Sequence, residues 1–161
     1  MRPVGWFGAA WGTLGVLLLL GSAVARLAPR AVDAFEMGLT PWQWVLTAVF
    51  AVFMAYSEGY RGFQQRFSPR TAARVRYLRD QPSMLRSALG PLFAMGFFHA
   101  NRRTKIVAYG VTTMVILLVV AVQYVAQPWR GIIDAGVVLG LTWGFVTFLS
   151  SLARALGEPD F

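Results

Sequence analysis

Residues 106–126 read IVAYGVTTMVILLVVAVQYVA. These 21 residues carry no charge and are rich in Val, Ile and Leu. An α-helix rises 1.5 Å per residue, so about 20 apolar residues cross the ~30 Å hydrocarbon core of a bilayer. The stretch therefore reads as a transmembrane helix. The chain on both sides is interpreted from that starting point.

Downstream, Gln127-Pro128-Trp129-Arg130 reads as a tight turn, which returns the next helix antiparallel over residues 131–153, with Arg154 ending it. Within that helix Gly136, Gly140 and Gly144 recur every four residues and share one face. Helices in lipid gain no hydrophobic energy by meeting one another, so they associate where small residues let backbones approach. The three glycines offer such a groove, either to another helix of the chain or to another subunit. Asp134 lies in the first turns of the same helix, four residues after Arg130. A carboxylate there is stabilised by the helix dipole and can pair with the i−4 cation.

Upstream lies a strongly basic segment. Between Arg61 and Lys105 there are ten Lys or Arg residues against a single acid, Asp80. These ten are most of the 15 basic residues of a chain whose formal net charge is +8. In a soluble chain that excess would raise nucleic-acid binding. Beside long apolar runs it fits instead a cytoplasmic face next to anionic lipid headgroups, because Lys and Arg collect on the inner side of a membrane. Residues 70–79 form at best a narrow apolar stripe, with arginines on both sides, and read as a solvated arginine-rich connector. Ser83 is placed to cap a helix beginning just after it, and residues 87–101 are uncharged but broken at Gly90-Pro91. Crossing there would put Arg102, Arg103 and Lys105 on the outer side, so an interfacial or re-entrant helix is expected.

Two more apolar runs precede the basic segment. Residues 3–25 hold no charge. Arg2 and Ala23-Val24-Ala25 also fit a secretory signal with a small-residue cleavage site, but the Gly8 and Gly12 pair favours a retained packing helix. Residues 26–36 read as a polar link. Residues 37–57 are again uncharged, with Thr40 as N-cap, Pro41 in the first turn and Trp42 and Trp44 at the interface. Tyr56, Tyr60, Phe63 and Phe67 recur at helical spacing, so this helix should continue past Glu58 until Ser68-Pro69 ends it.

The expected fold is an all-α integral membrane protein of one domain. It has four transmembrane helices, at about residues 5–25, 40–60, 105–126 and 131–153, and a basic cytoplasmic segment over about 61–105. Both termini are expected in the cytoplasm, in a bacterial inner membrane. Cysteine is absent, which excludes disulfides and thiolate chemistry. No phosphate loop, nucleophile motif or paired metal-binding histidines occur, so no catalytic residue, cofactor or metal is assigned. Glu58 stands at the edge of the second helix with Arg61 one turn on, and Arg102 or Arg103 as partners in space; an ionisable group at membrane depth is a functional candidate. His99, the lone histidine, suits an interfacial hydrogen bond better than a metal. The functional expectation is an accessory, assembly or scaffold subunit whose partner is another membrane subunit or a second copy. The alternatives are a small transporter or channel using Glu58 and Asp134, or a lipid-modifying enzyme using Glu58, His99 and the arginines.

Overall fold

A computed structural model describes residues 2–159 and 161. Among these residues every regular element is helical: α1 (Arg2–Glu36), α2 (Pro41–Met54), a π-helical segment (Ala55–Phe67), α3 (Ser68–Asp80), α4 (Met84–Ala88), α5 (Gly90–Met95), α6 (Arg102–Val122) and α7 (Trp129–Gly157). Three of them, α1, α6 and α7, are long and apolar enough to cross a membrane. The expected second span begins as α2, only 14 residues long, and passes into the π segment through residues that keep right-handed helical dihedrals. Its start is as expected. The Thr40 hydroxyl accepts from the Gln43 N–H at 3.3 Å while Gln43 returns its side-chain oxygen to the Thr40 N–H at 3.0 Å, a capping box that satisfies two free donors.

Three local expectations are corrected. Residues 26–36 are not a link: α1 continues through them with Pro29 inside the helix, and its far end is in the packing, with Ala31 and Ala34 buried. Ser68-Pro69 does not end the rod either. The Ser68 N–H donates back to the Phe63 carbonyl, the last wide-turn bond. Pro69 then falls in the first turn of α3, where a missing N–H is tolerated.

The third correction concerns α3, which is a core element and not a solvated connector. Its narrow stripe of Thr71, Val75 and Leu78, widened by Ser68 and Ala72, is buried. A stripe that narrow suffices because α3 is wedged between α1, α5 and α7, each covering part of it.

The centre of the bundle is α7. It packs against α1 on one side and, running parallel, against α2, the π segment and α3 on the other. The core gathers Val16 and Leu20 of α1, Ala72 and Val75 of α3, Ala94 of α5, and Phe148, Leu152 and Ala155 of α7. It thus sits at the arginine-bearing end of the molecule. There α4 and α5, two short helices in place of one, lie against α1. The Trp11 indole N–H donates to the Ala88 carbonyl at 3.1 Å, and a Cβ at Gly8 would come within 2.6 Å of Ser87 Oγ. In contrast α6 makes no extended packing with any other helix. Ala108 is its one buried residue.

Candidate functional site

Two constellations bring polar residues together, one on the seam between α7 and the π segment and one at the basic end. On the seam, the glycine face of α7 receives side chains of the same chain. A Cβ at Gly136 would meet the Phe50 ring and lie 3.1 Å from Met54 Cγ; at Gly140 it would lie 3.1 Å from Glu58 Cβ; at Gly144 it would meet the Phe63 ring. Gly59 answers from the other side, where a Cβ would come within 2.9 Å of the Trp143 indole. The π segment explains this register. Met54, Gly59, Phe63 and Ser68 meet α7 at intervals of four or five residues, as the wider turn of i→i−5 hydrogen bonding requires. The helical stripe expected of Tyr56, Tyr60, Phe63 and Phe67 consequently divides. Tyr56 and Tyr60 stack on each other at 6.1 Å and are exposed, whereas Phe63 and Phe67 meet edge to face at 5.4 Å and pack on the core.

Polar contacts pin the seam. The Trp143 indole N–H donates to Gln64 Oε1 at 2.8 Å, and the Ser68 and Thr147 hydroxyls lie 3.0 Å apart. Beside Trp143 is a shallow apolar depression of ≈ 410 Å³, lined by Val52, Ala55, Tyr56, Tyr60 and Trp143. Glu58 does not line it. Glu58 is exposed, and among the described residues it forms no ion pair with Arg61, Arg102 or Arg103. Gly8 and Gly12, the small-residue pair of α1, face α4 and α5 and not the α7 glycines: a Cβ at Gly12 would lie 3.2 Å from the Gly90 carbonyl oxygen.

Asp134 does pair in sequence-expected fashion with Arg130, but at 3.9 Å, and it is 3% exposed. Its Oδ2 and the Arg130 Nε are both buried without a hydrogen-bond partner. The neighbouring contacts tie α7 to the end of α1: the Gln127 side-chain amide donates to the Arg30 carbonyl at 3.1 Å and accepts from the Gly131 N–H at 2.9 Å.

At the basic end the arginines of α3 bind helix ends. Arg74 donates to the Phe93 carbonyl at 2.6 Å, to Phe98 at 2.8 Å and to His99 at 3.4 Å, with its guanidinium 4.0 Å above the Phe93 ring. Arg76 donates to the Glu158 and Pro159 carbonyls, each at 2.8 Å, and Arg79 to Leu156 at 3.2 Å. The last carbonyls of a helix have no intrahelical donor and carry the negative end of its dipole, so a guanidinium is a fitting cap. Asp80 takes Arg79 at 2.7 Å and Arg76 at 3.5 Å. The hydrogen bond from Arg79 is the main reason its carboxyl is held below the usual aspartate value of 3.8.

His99 is exposed, with φ 46°. What it contributes here is its carbonyl. No group of three His, Cys, Asp or Glu residues able to hold a metal occurs among the described residues.

The sequence reading missed the Arg74 latch, the Gln64–Trp143 bond and the caps on α7. Their acceptors are backbone carbonyls or distant side chains, which leave no residue-type pattern. Set against family models, curated proteins and solved structures, the chain matches none of them.

Proposed function

We propose that this protein is a non-catalytic membrane subunit that assembles with other membrane helices. Four segments cross the bilayer in this reading: α1, α2 with the start of the π segment, α6 and α7. Both termini and the basic segment lie on the cytoplasmic face of a bacterial inner membrane, and α4 and α5 lie at the interface. The observation that supports an assembly role is α6: a 21-residue apolar helix that takes almost no part in the packing of its own chain. A protein folding only for itself would gain dispersion contacts by drawing α6 onto the bundle. The glycine seam of α7 serves the protomer in this reading, since Phe50, Glu58 and Phe63 already occupy it.

The transporter and enzyme readings draw less support. Asp134 is enclosed near the end of α1, Glu58 is exposed on the rod, and the depressions beside Trp143 are lined by neither carboxylate. The Glu58 and His99 sites are held apart, since Arg74, which binds the His99 carbonyl, lies 16 residues along the rod from Glu58. At helical rise this is on the order of 20 Å.

The test is a photo-crosslinking residue at Leu117 or Val119 of α6, activated in native membranes. Crosslinks to a defined membrane protein support the subunit reading, and crosslinks to lipid alone overturn it. Orientation is tested separately by cysteines placed at Gln81 and Gln127, which an impermeant thiol reagent should label from the inner and outer side respectively.

A further inference from the structure

The charge balance of α3 is uneven. Arg76 and Arg79 share Asp80, but Arg70 and Arg74, one turn apart, have no carboxylate within ion-pair distance among the described residues. All of Arg74's acceptors are neutral carbonyls. Arg70 has less still: its Nε is buried and bonded to nothing. Burial disfavours the charge of both, and for Arg74 the nearby Arg70 adds repulsion. A guanidinium cannot shed its proton to escape such a site. Two partly buried cations side by side, with a buried donor unspent, therefore lack a counterion among the described residues.

The surroundings narrow the chemistry of that counterion. Arg66 precedes Arg70 by one turn and is exposed, while Arg102 and Arg103 follow His99 by three and four residues and are exposed too. Asn101 caps α6, its Oδ1 accepting from the Thr104 N–H at 2.8 Å. Asp80, six residues after Arg74, is taken by Arg76 and Arg79, and the next acid in sequence, Glu58, lies twelve residues before Arg70. Beside the cations are aromatic side chains: Phe97 and Tyr109 meet edge to face at 5.1 Å, and Phe93 and Phe98 at 5.7 Å. A compact oxyanion against an apolar border suits this setting better than a carboxylate side chain of the protein itself.

We infer that Arg70 and Arg74, with the basic start of α6, form a binding site for a phosphate group, supplied by a lipid headgroup or by free phosphate. Arginine serves this role well because its planar fork of donors matches phosphate oxygens. The site would couple the anion to the fold, since Arg74 also holds the chain between α5 and α6. This inference rests on the basic end lying at the bilayer surface and is independent of the assembly role of α6.

The experiment uses the full chain purified in neutral detergent. Phosphatidylglycerol, phosphatidylcholine and inorganic phosphate are titrated separately, with bound probe counted by native mass spectrometry and the unfolding temperature followed in parallel. Wild-type protein should bind phosphatidylglycerol and unfold at higher temperature, with phosphatidylcholine much weaker. Equal binding of inorganic phosphate identifies a soluble anion as the natural occupant; binding of the lipid alone identifies a headgroup. Arg70→Gln should weaken that binding about fivefold, the equivalent of ~1 kcal/mol per arginine near an anionic surface. Arg70→Lys, which keeps the charge and loses the fork, should fall between. Arg86→Gln is the control: it removes the same charge from a guanidinium that lies 5.1 Å over Tyr77, and it should bind as wild type. Equal weakening by Arg70→Gln and Arg86→Gln would reduce the effect to diffuse surface charge. That result, or binding of no anionic probe by the wild type, overturns the site.

Discussion

α6 and α7 look alike as sequences and differ in every way as parts of the structure. Both are uncharged over most of their length, both are long enough to span a bilayer, and the most apolar 18 residues of α6 have the higher mean hydropathy, 2.2 against 1.9. Yet α7 is the centre of the bundle, and α6 has one buried residue. The difference lies in small residues. α7 carries Gly131, Gly136, Gly140 and Gly144, all buried; the α1 backbone at Arg30 and the Ala34 methyl approach the first, and the Phe50, Glu58 and Phe63 side chains enter at the other three. α6 carries Gly110 alone, with nothing within 4 Å of the place its Cβ would occupy. Its face is otherwise covered by branched Val, Ile and Leu side chains, which rule out the close backbone approach of a glycine groove and leave only side-chain packing for a neighbour. Hydropathy decides that a helix prefers lipid to water; it does not decide whether the helix prefers protein to lipid.

The largest expected effect breaks this comparison if it fails. Gly144→Leu should overpack the seam, because even a Cβ there meets the Phe63 ring. Overpacking costs ~1–3 kcal/mol and occasionally more, and rigid neighbours on both sides put this case at the upper end. Gly110→Leu in α6 is the matched change and should leave thermal stability in detergent unaltered. Equal losses from the two substitutions would mean that the helices do not differ in packing.

Arg74→Met comes next. It removes the guanidinium that holds the Phe93, Phe98 and His99 carbonyls, and hydrogen bonds to a charged group contribute ~1.5–3 kcal/mol. A partly exposed site puts the loss near ~2 kcal/mol. The more specific readout is local: amide exchange over residues 97–101, at the base of α6, should rise while exchange in α7 stays slow. Uniform acceleration would show that Arg74 is a general core support and not a latch for α6.

A smaller effect tests the bracket that closes the packed half. Asp80 has its carboxyl held below the usual value, first by the hydrogen bond from Arg79. Its contribution is therefore complete above the unfolded-state value of 3.8 and is lost as pH falls below it through the folded-state value. The pair is exposed, so less than ~1 kcal/mol is at stake. Asp80→Asn should remove the part of the acid sensitivity below about pH 4 that wild type shows in thermal unfolding; an unchanged profile assigns that sensitivity to other carboxylates.

Glu58→Gln should do least. Glu58 is exposed and forms no ion pair among the described residues, so stability should change by no more than ~0.5 kcal/mol. Breaking an interfacial pair with Arg61, Arg102 or Arg103 would instead cost ~1 kcal/mol. A measured loss of that size would show that the pair forms after all, and would reopen Glu58 as a working residue on the seam.

Some of this was legible in the residues themselves. Uncharged runs of about 20 residues marked α1, α6 and α7 as helices long and apolar enough to cross a membrane, because burying charge in hydrocarbon is costly wherever it occurs, so composition carries the information locally. The capping box at Thr40 and the pairing of Asp134 with Arg130 are likewise contacts within one helix turn. The shared face of Gly136, Gly140 and Gly144 follows from helical periodicity. What entered that face did not: Phe50 reaches it from α2, and Glu58 and Phe63 reach it from turns widened to the π form, an outcome of matching two helices along their length. Local pattern likewise made residues 70–79 a solvated connector, since arginines on both sides of a helix read as water-facing. Only the tertiary structure supplied the carbonyl ends of α5 and α7 that those arginines cap, and the three helices that cover the narrow apolar stripe between them. Such partners lie far away in sequence and are mostly backbone atoms, common to every residue type, so no arrangement of side chains along the chain could announce them.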